Sequence, residues 1–280
     1  MTTNETSVVP RVSRPYDQEE LDDAVRNRGA VILSEAYSRE QCETFLSQIE
    51  DYLREHPEEA EYAASSVLGY FQGETTSTLH SLVGTIPCAA SMVLQRDIVG
   101  CARRVLKPLS DTILLTIAEY MARHPGVERQ QLHCDTFSWR HVPGGENPIA
   151  LTVMAAMSDF TAENGATWVV LDSHGGPPDV PAPDWSAAVQ AEMRQGDALL
   201  FRADLFHAGG ANTTESDVRR IFSMGFQVAW LRTVENSTLS VPPPKAAELE
   251  PELQELLGYS NELVLGLYKG GDPKNSLKLV

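Results

Sequence analysis

The sequence is poor in basic residues and in cysteine. Its 280 residues hold 22 Lys and Arg against 39 Asp and Glu, for a formal net charge of −17. An acidic surface repels phosphate backbones, so nucleic acid is a poor candidate partner. The four cysteines form no CxxC pair and no regular spacing, which is typical of reduced thiols and predicts a cytoplasmic protein.

Long apolar runs are also missing. No stretch approaches the roughly 20 apolar residues that span a bilayer, and the N-terminal residues lack the apolar segment of a signal peptide. We therefore expect a soluble protein with no membrane partner. Hydrophobic residues make up 42% of the chain, which is ordinary for a globular fold. The acidic charge favours solubility, and it also permits attraction of a cationic substrate.

The chain is interpreted as one domain over residues 1–280, with a loose arm at 1–15 and a helical part at 16–106. Gly29 ends the first helix, and Ser38 with Gln41 is a capping-box pattern that opens the second. Short apolar runs between Gly- and Pro-rich links then predict a mainly β core at 107–230, a sandwich or barrel with flanking helices, and a C-terminal extension at 231–280. Predicted helices cover 16–28, 38–53, 97–106 and 253–257, and predicted strands cover 30–33, 112–122, 129–135, 150–160, 167–171, 198–201 and 219–230.

Two histidines and one aspartate form the strongest functional pattern. His133 and Asp135 lie two apart in a predicted strand, where such side chains share a face and can reach one ion. His207 follows the predicted strand at 198–201 and precedes a Gly-Gly turn that can place its ring beside the first pair. Two imidazoles and a carboxylate suit Fe(II) and leave coordination positions open. HxD alone is a weak motif, but the ordered combination predicts an iron site.

Two arginines, Arg219 and Arg220, open the last long predicted strand. A buried guanidinium is a natural partner for the distal carboxylate of 2-oxoglutarate, because its fork makes a bidentate, charge-assisted contact. Adjacent strand residues point to opposite faces, so only one of the two can face inward.

Together these motifs resemble the phytanoyl-CoA dioxygenase family of Fe(II)- and 2-oxoglutarate-dependent oxygenases, in particular its secondary-metabolite branch. The resemblance covers roughly residues 15–230 and is carried by QLHCD, ENGATWVVLDSH, GDALLF and HAGGANTTESDVRRIF. It implies a double-stranded β-helix, a cupin-like jelly-roll whose narrow mouth holds the metal. It also implies Fe(II), with 2-oxoglutarate and O2 as co-substrates.

The resemblance assigns roles to single residues as well. It implies that the two histidines and the aspartate above are the iron ligands and the catalytic group. It implies that Gln131 and Thr167 contact 2-oxoglutarate, although either can instead be a satisfied polar residue of the barrel wall. Arg219 aligns best with the co-substrate arginine, because an apolar strand follows it. The loop after His207 is one residue longer than is usual in the family, so Arg220 remains the alternative for this contact.

Substrate contacts are expected just beyond the HxD pair, at Phe137, Trp139, Arg140 and His141. Residues 65–85 and the C-terminal tail are further candidates by position. The segment LDSH at 171–174 departs from the Pro-Gly-Ser-His of many relatives, which puts a local substrate contact in doubt. Phytanoyl-CoA itself is not expected, because no basic cluster suits the CoA phosphates.

The predicted function is oxidation of a natural-product or antibiotic intermediate by hydroxylation, desaturation or ketone formation. A cationic substrate such as an aminoglycoside is one option. Asp135 fills the ligand position that halogenases leave to chloride, which argues against halogenation. Two other classes stay open, namely a cupin-type metal-dependent isomerase or epimerase without 2-oxoglutarate, and a non-catalytic jelly-roll binding protein.

Overall fold

The fold is built on two β-sheets, seen in a computed structural model that describes residues 8–59, 76–177 and 180–279. The strands are β1 Arg11–Val12, β2 Ala30–Leu33, β3 Thr76–Leu79, β4 Ile113–Arg123, β5 Ala150–Ala156, β6 Thr167–Val169, β7 Val189–Ala191, β8 Ala198–Arg202, β9 His207–Ala208 and β10 Arg219–Val228. The larger sheet has the order β1-β2-β8-β5-β10-β4-β3, and the smaller has the order β7-β6-β9.

Helices cover one face of the larger sheet. The α-helices are α1 Gln18–Arg28, α2 Arg39–Glu55, α3 Leu82–Thr85, α4 Ala89–Val93, α5 Arg96–Leu106, α6 Ser237–Ser240, α7 Pro243–Ala246 and α8 Pro251–Leu256, and 3-10 helices cover Asp135–Trp139, Trp185–Ala187 and Pro273–Leu279. Gly29 ends α1 at φ 81°, a left-handed conformation that glycine adopts without strain. Ser38 and Gln41 form the predicted capping box at the start of α2.

Alternation along β10 divides the core into two layers. Phe222 and Met224 pack with the helices on one face. Ile221 packs with Val169 of β6 on the other face, between the two sheets. Because side chains alternate along a strand, odd-numbered β10 residues from Arg219 to Ser223 point into the space between the sheets.

The prediction of a loose N-terminal arm is wrong for residues 8–15. β1 pairs in parallel with β2, with Arg11 opposite Ile32. Nη1 of Arg11 also lies 2.6 Å from Oδ2 of the buried Asp197. Pairing to an otherwise open sheet edge thus fixes this segment, while residues 1–7 lie outside the described part of the chain.

The predicted strand at 129–135 is also wrong. In this segment His133 forms an isolated bridge to His207, the Gln130 amide donates to the Gly209 carbonyl oxygen, and Asp135 begins a 3-10 helix. The strand predicted at 150–160 ends at Ala156, whereas those at 30–33, 112–122, 167–171, 198–201 and 219–230 are confirmed within two residues. Strands β1, β3, β7 and β9 were not predicted, because two to four residues give too short a pattern to recognise.

The C-terminal extension packs on the helical face of the larger sheet. Val241, Leu253 and Tyr259 are buried in the core on that side. The predicted short helix near 253–257 is observed as Pro251–Leu256. Among the described residues, no helix combines the length and the apolar character needed to cross a membrane.

Candidate metal centre

The structure brings His133, Asp135 and His207 together between the two sheets. Ligand atoms of the three residues all lie within 4.8 Å of one another. Reciprocal backbone hydrogen bonds of 2.9 Å pair His133 with His207, and their rings are 4.4 Å apart. Nε2 of His207 is 3.5 Å from Oδ1 of Asp135. Residues 74 apart in the sequence therefore converge on one point.

Both imidazoles are held in the orientation that a metal ligand needs. Nδ1 of His133 lies 2.8 Å from the carbonyl oxygen of Gln131, and Nδ1 of His207 lies 3.0 Å from that of Leu205. Because a carbonyl oxygen only accepts, each Nδ1 carries the proton. Each Nε2 thus keeps its lone pair for an ion.

Asp135 is aimed at the same point by its neighbours. Cys134 is extended, with φ −118° and ψ 139°, so the side chains on either side of it share a direction. Thr152 Oγ1 of β5 donates a 2.6 Å hydrogen bond to Asp135 Oδ2. The other oxygen, Oδ1, is the one nearest His207. Thr152 was not among the predicted residues, because its role depends on pairing that brings β5 beside the HxD segment.

The electrostatics favour a bound cation. Burial alone would raise the pKa of Asp135, but His207, His133 and the Thr152 hydroxyl outweigh it and hold that pKa well below its usual range. Burial and the neighbouring His207 lower the pKa of His133. Asp135 outweighs burial at His207 and raises the pKa of that imidazole. The site therefore presents an ionised Asp135 carboxylate and a neutral His133 imidazole, and its net negative charge suits a cation.

Arg219 points into the space between the sheets. Its Nη1 donates to the carbonyl oxygen of Gly165 and lies 3.5 Å from Oγ1 of Thr167. Its guanidinium carbon is 4.6 Å from the centre of the Phe160 ring. Arg220 is half-buried and points to the opposite face of β10. Arg219 and Thr167, both predicted co-substrate contacts, are thus both buried and lie side by side.

The buried charge of Arg219 differs from that of Arg202, another buried arginine. Nη2 of Arg202 lies 2.8 Å from Oδ2 of Asp204, which neutralises it. Among the described residues Arg219 has no carboxylate at ion-pair distance, and its Nε has no hydrogen-bond partner. Burial and the nearby Arg123 lower the pKa of Arg219 well below its usual range. A buried cation of this kind requires an anion to compensate it.

The remaining predicted residues lie around the site with different exposure. Gln131 is exposed, and its carbonyl oxygen rather than its amide orients His133. Phe137, Arg140 and His141 are exposed on the segment after Asp135. Residues 65–75 of the predicted substrate region lie outside the described residues.

Trp139 links the Asp135 segment to a cavity. Its Nε1 donates a 2.9 Å hydrogen bond to the carbonyl oxygen of Arg232. Arg232 belongs to residues 231–236, which with Leu114 line a cavity of about 320 Å³. That volume is within the range of small-molecule sites.

The Gly209-Gly210 turn fixes the chain after His207. The amide of Gly209 donates a 2.7 Å hydrogen bond to Oε1 of Gln130. A Cβ at Gly210 would lie 2.7 Å from the carbonyl oxygen of Ala166, so this approach to the start of β6 needs glycine. Gln130 was not predicted, because nothing in its local sequence distinguishes it from Gln131.

The model of the phytanoyl-CoA dioxygenase (PhyH) family matches residues 25–221, which include all three candidate ligands. The chain belongs to the phytanoyl-CoA dioxygenase family. Among its relatives is the iron/alpha-ketoglutarate-dependent dioxygenase penM of Penicillium thymicola, 26% identical over 91% of this chain and 82% of that protein. Dioxygenase swnH1 of Metarhizium robertsii is 29% identical over 89% of this chain and 85% of its own length.

Solved structures show the same fold as this PhyH-family chain. HygX from Streptomyces hygroscopicus, solved with nickel, 2-oxoglutarate and hygromycin B, has a TM-score of 0.58 at 15% identity and covers 75% of this chain and 86% of its own. The epimerase SnoN, solved with Fe3+, alpha ketoglutarate and nogalamycin RO, has a TM-score of 0.60 at 21% identity and covers 79% and 88%.

These findings confirm the family-level predictions. The fold is the predicted jelly-roll with flanking helices. Family membership, together with the intact His-Asp-His group, makes this PhyH-family protein an iron- and 2-oxoglutarate-dependent dioxygenase. The predicted secondary-metabolite branch is also confirmed, since the similar proteins include penM and further fungal dioxygenases.

Proposed function

We propose that the chain oxidises a small natural-product intermediate, with Fe(II) held by His133, Asp135 and His207 and 2-oxoglutarate held by Arg219 and Thr167. The observation that carries this proposal is the convergence of three ligand atoms within 4.8 Å, with both Nδ1 atoms on backbone carbonyls. Three ligands on one face suit Fe(II) and leave positions for a chelating co-substrate and O2.

The buried charge of Arg219, which no carboxylate in the described part of the chain neutralises, supports 2-oxoglutarate as the co-substrate. A dicarboxylate that binds iron through its 2-oxo acid end carries a second carboxylate at the other end. The buried guanidinium, without a carboxylate partner among the described residues, supplies the charge that this second carboxylate needs. The Thr167 hydroxyl, 3.5 Å from Nη1, supplies a further donor. Gln131 remains a weaker proposal, because its side chain is exposed.

Each residue then has a distinct task. When bound, iron with 2-oxoglutarate would use O2 as the oxidant for a substrate C–H bond. Thr152 and the carbonyls of Gln131 and Leu205 hold the ligands in place, so that little reorganisation is needed. Arg219 orients the co-substrate, and Phe160 covers the guanidinium and excludes water from it. Trp139 connects the Asp135 helix with the cavity wall, where we place the substrate.

The relatives support a substrate from secondary metabolism. Hydroxylation, desaturation and ketone formation share the first oxidative step, and the ligand set does not distinguish between them. We also propose a cytoplasmic location, in keeping with four cysteines that are free thiols.

The decisive experiment measures succinate formation from 2-oxoglutarate with and without Fe(II) and O2. We expect formation only when both are present, and its loss in Asp135→Ala, since that variant lacks one iron ligand. Asp23→Ala, which removes an exposed carboxylate of α1, is the matched control and should keep full activity.

Three outcomes would contradict the proposal. Full activity of Asp135→Ala would refute the ligand assignment. Substrate turnover without O2 and 2-oxoglutarate would identify an isomerase. Ligand binding without any succinate would identify a non-catalytic binding protein.

A further inference from the structure

Four polar residues lie at the β3 edge of the larger sheet, two on its strands and two just beyond them, and we call them the acidic wall: Thr78, His80, Glu119 and Glu235. Nδ1 of His80 lies 3.3 Å from Oε2 of Glu119 and 3.8 Å from Oε1 of Glu235. None of the four belongs to the proposed iron or 2-oxoglutarate site. Their position and chemistry therefore call for a separate explanation.

The acidic wall faces the same space as the metal centre. Glu119 of β4 lies opposite Ser223 of β10, and Ser223 is on the same face as Arg219. Ser223 lies opposite Met154 of β5, two residues from the Thr152 that holds Asp135. Glu119 and Thr152 are separated by two strand spacings across the sheet and by two residues along β5. Their backbones therefore lie roughly 12 Å apart. A substrate of one or two rings spans that distance.

Several polar atoms of the wall make no hydrogen bond to the described residues. The Oγ1 of Thr78 and both ring nitrogens of His80 are buried and make no hydrogen bond there. Thr78 is only 3% exposed, so water does not reach its side chain. Buried polar groups are nearly always hydrogen-bonded, which indicates that a molecule bound in this space supplies the partners.

The two carboxyl groups make the wall favour a positively charged ligand group. Glu119 is buried, and Glu235 lines the cavity of about 320 Å³ beside Trp139. Burial raises the pKa of Glu235 to about 7. Burial also lowers the pKa of His80, which favours a neutral imidazole, so His80 does not supply a positive charge to the wall. Arg232 also lines the cavity, but its side chain is exposed at the surface.

A purely structural role explains only part of this arrangement. The carboxylate of Glu235 accepts hydrogen bonds from the amides of Ser81 at 2.7 Å and Ala118 at 3.1 Å. These bonds tie residues 231–236 to the sheet and account for Glu235. They do not satisfy the hydroxyl of Thr78 or the ring nitrogens of His80.

We propose that the acidic wall binds a protonated amine of the substrate, with its N–H groups donating to Glu119 and Glu235. Thr78 and His80 then hydrogen-bond to hydroxyl or ether groups next to that amine. The substrate class is therefore a hydroxylated cyclic amine, such as an aminocyclitol, amino sugar or alkaloid ring. This inference rests on the proposed function, because the oxidised carbon must reach the metal centre from the wall.

The test measures binding by calorimetry to the protein loaded with Fe(II) and 2-oxoglutarate, with O2 excluded to prevent turnover. The probes are 2-deoxystreptamine, a hydroxylated piperidine and spermidine, with the neutral myo-inositol for comparison. We expect at least one cyclic amine to bind with a Kd below about 1 mM and myo-inositol to bind at least about tenfold more weakly. Failure of every amine to bind, or equal binding of myo-inositol, would overturn the proposal.

Glu119→Gln removes one charge of the wall while it keeps the side-chain volume. We expect a loss of about tenfold or more in amine affinity, because a hydrogen bond to a charged group is lost. Glu43→Gln, on the exposed face of α2, makes the same charge change and should leave the affinity unchanged. An unchanged amine affinity in Glu119→Gln, or an equal loss of affinity in Glu43→Gln, would contradict amine binding by the acidic wall.

Two further measurements keep the test decisive. If Glu119→Gln does not fold, His80→Gln and Thr78→Val replace it, and both should weaken binding of the hydroxylated amines more than that of spermidine. Equal weakening of all amines would contradict the assigned roles of Thr78 and His80.

The O2-dependent decarboxylation of 2-oxoglutarate is measured on the same samples. If it persists while no amine binds, the acidic wall fails and the dioxygenase function stands.

Discussion

Thr152 and Asp135 are joined by a 2.6 Å hydrogen bond from a threonine hydroxyl to the carboxylate oxygen Oδ2. The bond fixes the carboxylate so that its other oxygen, Oδ1, lies 3.5 Å from Nε2 of His207. We predict that Thr152→Val weakens Fe(II) binding by about ten- to a hundredfold, because partners that orient a metal ligand have effects of this size. The measurement is anaerobic titration with Fe(II).

Thr152→Ser is the matched control, since it restores the hydroxyl and should recover most of the affinity. If the valine and serine variants bound Fe(II) equally well, the hydrogen bond would have no part in holding the ligand.

The 2-oxoglutarate requirement distinguishes Arg219 from Arg220. Arg219→Met should raise the KM for 2-oxoglutarate by about ten- to a hundredfold, because it removes hydrogen bonds to a charged group. Arg220→Met changes the same charge on the opposite face of β10 and should have little effect. A large rise in Arg220→Met alone would show that the assignment is wrong by one residue.

The Arg219→Met variant also allows a test by thermal unfolding, which does not depend on enzyme activity. In the absence of 2-oxoglutarate, Arg219→Met should unfold at the same temperature as the unchanged protein or higher. The reason is that an apolar side chain replaces a buried charge that has no carboxylate partner among the described residues. A clearly lower Tm would mean that the arginine stabilises the fold instead of awaiting an anion.

The turn after His207 depends on glycine at position 210. In Gly210→Ala the new Cβ would lie 2.7 Å from the Ala166 carbonyl oxygen and 2.8 Å from backbone atoms of Gly165. Because backbone cannot move aside cheaply, we predict a loss of about 2 kcal/mol in unfolding free energy and weaker Fe(II) binding. Gly145→Ala, where a Cβ meets nothing within 4 Å, should stay within about 0.5 kcal/mol in a denaturant titration. Equal stability of both variants would contradict this account.

The raised pKa of Glu235 predicts how the stability of the protein depends on pH. Burial raises its pKa to about 7 from the ordinary 4.5, so the folded protein binds one more proton than the unfolded chain between these values. Raising the pH through this window therefore favours unfolding, and above about pH 7 the effect is constant. Relative to Glu235→Gln, the Tm of the unchanged protein should fall from about pH 5 to pH 7 and then run parallel. A constant difference across that window would mean that the pKa is not raised.

Much of this protein followed from local sequence patterns. The capping box at Ser38, the helix end at Gly29 and the long strands were predicted because their signals lie within a few adjacent residues. The iron ligands were predicted for a related reason. Few residue types bind Fe(II), so HxD followed by a distal histidine is a restricted pattern even without coordinates.

Other features depended on the tertiary structure. Thr152 reaches Asp135 only because β5 lies beside the HxD segment, and Arg219 differs from Arg220 only through the face of β10 that each occupies. The acidic wall joins His80, Glu119 and Glu235, which are 155 residues apart at the extremes and come together through sheet pairing and a returning loop. The sequence by itself determined the family and the candidate iron ligands, because the required residue types are few. Only the tertiary structure decided which side chains surround them, because contacts between distant strands leave no local pattern in the chain.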